Sequence, residues 1–125
     1  MRQLGLNAVS AGLDVQRCAS ADPLALAEAA KRGLDLHAHR SRPLAELTQQ
    51  TTDLLLVMEP AHIRTLFEEH AAVAGQTGLI GLWASPLTPW VFDPLGRSSL
   101  YFSRCYDILD TACQRIAGCV SRPAA

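Results

Sequence analysis

Net charge is scarce in this sequence: 11 Lys and Arg against 12 Asp and Glu leave a formal charge of −1 at pH 7. A chain so evenly balanced lacks the electrostatic footprint that phosphate backbones require, which argues against a nucleic-acid partner. Long apolar runs are missing too. None approaches the roughly 18 residues of a membrane span, and the first residues, MRQLGLNAVSAG, have no apolar signal core. No membrane partner is expected, and a cytoplasmic location is. Cysteines number four, Cys18, Cys105, Cys113 and Cys119, with no CxxC among them. They read as reduced thiols, not as a metal knuckle or a disulfide framework, and no cofactor is expected. Repeats, linkers and low-complexity tracts are absent. With 49% apolar and 18% charged residues over 125 positions, the chain reads as one domain, 1–125, able to bury roughly two-thirds of its unfolded surface.

Strand and helix signals alternate. LNAVSAGL (6–13), short, apolar and punctuated by Gly12, predicts a strand ending in a loop. ADPLALAEAAKRG predicts a helix: Asp22 is a candidate N-cap, Pro23 suits the first position, and Gly33 follows Lys31 and Arg32 at the other end. A loop rich in His and Arg leads to a short helix near Pro43. DLLLVM (53–58) is nearly continuous in apolar character, the pattern of a central parallel strand. The stretch EPAHIRTLFEEHAA predicts an amphipathic helix with Ile63, Leu66 and Phe67 inward, and GLIGLW (78–83) another strand. The terminal helix repeats Leu100, Tyr101, Cys105, Ile108, Leu109, Ala112 and Ile116 on one face. Strand-helix alternation of this kind predicts a parallel α/β sheet, with ligands held outside the carboxyl ends of its strands.

One loop after a predicted strand stands out, VFDPLGRSS (91–99). Asp93-Pro94-Leu95-Gly96 puts Asp at i, Pro at i+1 and Gly at i+3 of a type I turn, which by itself needs no chemistry.

Taken together and in order, VSAGLD, ADPLALAEAAKRGLDL, HRSRPL, DLLLVMEPAHIRTL, LIGLW and FDPLGRSSLYF resemble the low-molecular-weight protein tyrosine phosphatases, most of all the bacterial type associated with exopolysaccharide export. The resemblance runs from about Asn7 to the terminal helix. It implies a three-layer αβα fold with a parallel sheet, and it places Asp93 where the family has its general acid, the group that protonates the leaving phenolate. Leu95 stands where the family often has an aromatic. Trp83 and Trp90, beside Leu95, are further candidates to line a phenyl-sized cleft, against the competing use of Trp in cores and interfaces.

The family's reaction also needs a Cys-x5-Arg loop, whose thiolate attacks phosphorus while backbone N–H groups and the Arg hold the phosphate. Six residues beyond the four cysteines stand Leu24, Thr111, Cys119 and Ala125, so these 125 residues contain no such motif. MRQLGL resembles the tail of the helix that follows the loop. The expected fold is therefore the family's with its first strand missing. In the family that strand lies between the strands corresponding to 6–11 and 53–58. Its loss would leave backbone groups unpaired, at about 1–3 kcal/mol for each one buried. Either strand 6–11 moves across, or a second copy fills the space, and a homodimer is expected.

Three functions follow from the resemblance. The first is a non-catalytic homologue acting as a binding or assembly module. The second is a shortened form of an active cysteine-dependent phosphatase of phosphate monoesters. The third, an arsenate reductase-like thiol enzyme, would fall to Cys18. A phosphotyrosine protein or a phosphate-like anion is the expected partner if the site is completed. His37 and His39 read as solvated loop residues and not metal ligands, His62 and His70 as surface or partly packed, and Arg42 as a residue of the binding edge or scaffold.

Overall fold

The computed structural model describes residues 1–15, 18–70 and 76–120. Helix α1 spans Pro23–Lys31, strand β1 Leu55–Val57, helix α2 Pro60–Glu69, strand β2 Thr77–Leu79 and helix α3 Ser99–Val120. The two strands pair in parallel, Leu55 with Thr77, Leu56 with Gly78 and Val57 with Leu79. Successive side chains of a strand point to opposite faces. Leu56 joins an apolar cluster built on α3, while α2 packs over both strands. Helices on either side of a parallel sheet give the α/β, three-layer arrangement expected.

Local chemistry explains the elements. Asp22 caps α1 by accepting a 2.9 Å hydrogen bond from the Leu24 N–H, with Pro23 next in line. The helix closes when Leu34 N–H donates to Ala29 C=O and Gly33 N–H to Ala30 C=O, a Schellman pair that uses two orphan carbonyls. Pro60 opens α2 in the same position as Pro23 in α1.

Three expectations change. Residues 6–11 form no strand among the described residues. The only ladder contact nearby is a single parallel bridge from Gly12 to Pro43, because no neighbouring strand offers this stretch a row of backbone groups. The expected sheet of three strands is accordingly a sheet of two among the described residues. The strand predicted over 78–83 ends at Leu79, where Ile80–Trp83 coil into a 3-10 turn. Thr88 N–H donates to Gly81 C=O at 2.9 Å, and a Cβ on Gly81 would collide with the Thr88 carbonyl oxygen, so this close approach turns the chain away from the sheet. The helix faces also differ. Leu66 is buried on α2 but Phe67 is 59% exposed; on α3, Phe102, Cys105, Ala112, Ile116 and Ala117 are buried while Leu100 and Tyr101 look outward. Periodicity named the helices correctly but blurred which neighbour on the stripe turns in. The end of the predicted α2 segment, 71–72, lies outside the described residues.

Helices α1 and α3 are joined by one charged knot. Arg32 donates to Glu28 Oε1 at 2.9 Å, to Asp110 Oδ2 at 2.6 Å, to Asp107 Oδ1 at 2.9 Å and to the Ser103 carbonyl at 3.0 Å. Its guanidinium lies 5.5 Å from the centre of the Tyr106 ring, and the Tyr106 hydroxyl donates to Ala25 C=O. Burial works against the Arg32 charge, but the hydrogen bonds it donates to Asp110, Asp107 and Glu28 outweigh it and raise the guanidinium's hold on its proton. Glu28 is itself buried, so it depends on this partner. Arg32→Ala should therefore destabilise the fold by about 2–4 kcal/mol, less than a fully buried pair because Asp107 and Asp110 are partly in water. Arg32→Lys should restore only part, since an ammonium cannot fork across three carboxylates. Urea unfolding of the two variants measures both.

Candidate active site

The acid loop sits where β1 ends. Val91 N–H donates to Met58 C=O at 2.8 Å, which ties the entry of the loop to the residue just beyond β1. From there Phe92 meets Tyr101 of α3 edge to face, ring centres 5.7 Å apart, and the Arg97 guanidinium lies 5.4 Å from the same tyrosine ring. Cys105 Sγ adds a weak contact to the Phe92 carbonyl at 3.8 Å. Three links to α3 and one to β1 leave the loop little freedom.

Within the loop, the turn is one residue later than the sequence suggested. Arg97 N–H donates to Pro94 C=O at 2.9 Å, so Pro94 is the first residue of the turn and Gly96 its third. Gly96 has φ 77°, the left-handed value that a type II turn demands there. Asp93 is thereby freed from the turn backbone. Its Oδ1 accepts the Leu95 N–H at 2.9 Å, an Asx turn that orients the carboxylate, and no hydrogen bond from the described residues reaches Oδ2.

Asp93 borders a cleft of about 290 Å³. Met58, Glu59 and His62 form the wall after β1; Val91, Phe92 and Pro94 form the loop side; Cys105 lies at the base. Glu59 Oε1 and His62 Nε2 are 3.6 Å apart. The position agrees with the rule that parallel sheets bind ligands beyond the carboxyl ends of their strands. Two carboxylates and one imidazole on a largely apolar lining suit a proton-transfer role, and among the described residues the lining holds no Lys or Arg to bind a phosphate dianion.

Of the residues singled out in the sequence as catalytic or cleft candidates, Asp93 alone lines this cleft. Trp83 is partly buried against the α3 cluster, and Trp90 and Leu95 are 61% and 64% exposed. Leu95 meets Asp93 through its backbone N–H, but none of the three lines the cleft. Cys18 is exposed, with φ 61° and its N–H donating to Ser41 C=O, and it does not line the cleft. Arg40 and Arg42 are engaged by backbone carbonyls, Arg40 by those of His37 and His39 and Arg42 by that of Ser10. His37 faces Asp35 at 2.8 Å.

Glu59, His62 and Cys105 were not singled out as cleft residues. A signal for the first two was present, since Glu59 follows an apolar strand and His62 lies one helical turn further on. For Cys105, on a long helix distant in sequence, there was none.

Cys105 is no ready nucleophile. Burial pushes its thiol up, and the neighbouring Asp93 charge pushes it further in the same direction. Reactive thiols have the opposite environment. The stability gained by keeping this thiol protonated is present below its ordinary value of 9.0 and is lost as pH rises through the raised folded value. Iodoacetamide at pH 8 should therefore alkylate exposed Cys18 and Cys119 first and leave Cys105 unmodified until the protein unfolds, as peptide mapping by mass spectrometry would report. Gly96→Ala, which forces a side chain into left-handed backbone, should cost about 1–2 kcal/mol in thermal or urea unfolding.

Comparison with known proteins extends this geometry. The family model for low molecular weight phosphotyrosine protein phosphatase matches residues 1–124. The probable low molecular weight protein-tyrosine-phosphatase AmsI of Erwinia amylovora is 33% identical over 113 residues, 90% of this chain and 77% of that protein. The probable phosphatase EpsP of Ralstonia solanacearum is 31% identical over 77 residues, 62% of this chain and 53% of the relative. Among solved structures, AmsI superposes with a TM-score of 0.77 at 32% identity, covering 90% of this chain and 73% of that one. The tyrosine phosphatase Wzb from Escherichia coli K30, in complex with sulphate, superposes with a TM-score of 0.78 at 31% identity, covering 89% and 76% respectively.

Proposed function

The chain belongs to the low molecular weight phosphotyrosine protein phosphatase family, and from that premise we propose that these 125 residues carry the acid half of a phosphatase site and, taken alone, bind without turning over phosphate esters. The observation that carries this reading is the pairing of Asp93 on a formed cleft with a sequence in which no cysteine is followed six positions later by arginine. The cleft's own thiol, Cys105, is held in its protonated form, which supports the same conclusion. In this state the domain serves as a binding or assembly module. The four cysteines are all free thiols, which supports a cytoplasmic setting.

The preserved loop favours a second reading alongside the first: joined to a Cys-x5-Arg segment, the same residues complete a working phosphatase. The thiolate would form a bond to phosphorus as the bond from phosphorus to the leaving oxygen breaks, and the Asp93 carboxylic acid would give that oxygen its proton. Water would then displace the thiolate from phosphorus, with the Asp93 carboxylate accepting the water proton and inorganic phosphate released. General acid catalysis of this kind supplies roughly 10²–10⁴-fold, and only on a substrate held in line for attack. Without the thiolate there is no covalent step for it to assist.

The purified chain should show no hydrolysis of p-nitrophenyl phosphate above the buffer rate, and Asp93→Ala should be indistinguishable from it. Turnover that disappears in Asp93→Ala would overturn the non-catalytic reading, because a nucleophile within these residues would then be working with the acid.

A further inference from the structure

Outside the Asp93 cleft, exposed apolar side chains concentrate in one stretch: Leu82, Leu87, Trp90, Leu95, Leu100 and Tyr101 all fall within residues 82–101. Two arginines border its end. Arg97 and Arg104 are exposed, and among the described residues neither meets a carboxylate. That sets them apart from Arg32, which spends its guanidinium on three carboxylates, and from Arg40 and Arg42, which are held by backbone carbonyls. Their charge is free for another molecule.

The fold brings the two arginines to one part of the surface. The Arg97 guanidinium lies 5.4 Å from the centre of the Tyr101 ring. Residues three and four apart on a helix are surface neighbours, so both Tyr101 and Leu100 adjoin Arg104 on α3. The guanidiniums are therefore one to two helical turns apart, on the order of 6–10 Å. Leu100, 55% exposed, stands beside them. Asp107, one turn beyond Arg104, is committed to Arg32 at 2.9 Å and does not neutralise this patch. Contact with the Tyr101 ring restricts Arg97 in advance, which lowers the entropy lost when it grips a ligand. The patch also runs into the acid loop, because Arg97 N–H closes the turn on Pro94 C=O that presents Leu95 to solvent.

Two cations on an apolar floor, in a chain whose formal charge is −1, suit a short acidic segment; a polyanion needs a broad positive field. In an extended peptide, side chains on one side recur every second residue, about 6.6–7 Å apart, which matches the spacing of the guanidiniums. We propose that Arg97, Leu100 and Arg104 form a docking surface for an extended acidic segment of a partner protein, with carboxylates at alternate positions and a large apolar residue on the same side. Forked guanidinium–carboxylate contacts give the segment its register, and Leu100 takes the apolar residue. The docking does not depend on whether Asp93 donates a proton.

The peptide acetyl-Glu-Ser-Glu-Ser-Leu-amide, titrated into the ¹⁵N-labelled chain at low salt, tests this surface. Saturable shifts are expected at the Leu100 and Arg104 amides and at the Nε–H groups of Arg97 and Arg104. Replacing both Glu of the peptide by Gln, which leaves the protein untouched, should abolish them, and raising the salt to about 0.5 M should weaken binding several-fold. Arg97→Gln and Arg104→Gln should each weaken it about two- to fivefold, the range of exposed ion pairs, whereas Arg115→Gln, an equal loss of charge at another exposed position of α3, should change it by less than about 1.5-fold. No saturable shift, equal binding of the Gln peptide, or an Arg115→Gln effect as large as the other two would overturn the proposal. So would tighter binding of a single-stranded oligonucleotide or of phosphatidylglycerol vesicles than of the peptide, since the surface would then recognise polyanions.

Discussion

Helix α3 is held by forces of different kinds on two sides, and most of the molecule takes its position from that. One side is apolar: Cys105, Ala112 and Ile116 close over Ile80, Ala84 and Val91, the chain segment that leads from β2 to the acid loop. The other side is charged, where Asp107 and Asp110 meet Arg32 of the α1 terminus and Tyr106 covers the guanidinium. Apolar packing tolerates sliding; a forked set of hydrogen bonds does not. The Arg32 knot therefore sets the rotation and height of α3, and the apolar seam follows. Glu28, buried beneath the knot, makes the arrangement hard to rearrange, because any shift would strand a carboxylate away from water.

From α3 the constraint passes to the site. Phe92 and Arg97 reach Tyr101 from either end of the acid loop, while Val91 is bonded back to Met58. Asp93 lies between these anchors, with one carboxylate oxygen spent on its own turn. An acid that must meet a leaving oxygen in a single geometry needs this kind of support, since a small misplacement is costly in rate. The helix, the loop and the end of β1 thus hold an oriented carboxylate beside a cleft whose lining, among the described residues, includes no Lys or Arg.

Much of the fold was legible because it is local. Asp22 and Pro23 announce the start of α1, Pro60 that of α2, and the apolar run 53–58 a strand within a parallel sheet. Asp93 was legible through its resemblance to a family motif, and not through any property of the turn alone. The failures were of another sort. Residues 6–11 carry strand propensity, but a strand is an agreement between two backbones, and its propensity is idle without a neighbour. The stretch after Leu79 leaves the sheet because Thr88, far enough along to be out of any local window, comes back onto Gly81. Trp83 and Trp90 are not among the residues that line the cleft, although both stand close to the motif in sequence.

What the sequence by itself determined is chemical inventory and local punctuation: which helices begin where, that an acid stands on a Pro-Gly loop, and that no Cys-x5-Arg occurs in these 125 residues. Tertiary structure alone decided which of those groups share a site. It moved the turn by one residue so that Gly96 takes the left-handed position and Asp93 is released, brought Glu59, His62 and Cys105 to the acid, and gave β1 a single strand neighbour among the described residues. The physical reason is the range of the forces concerned. Capping and turn preferences act over a few residues of chain, whereas burial, charge pairing and ladder formation depend on where distant segments meet.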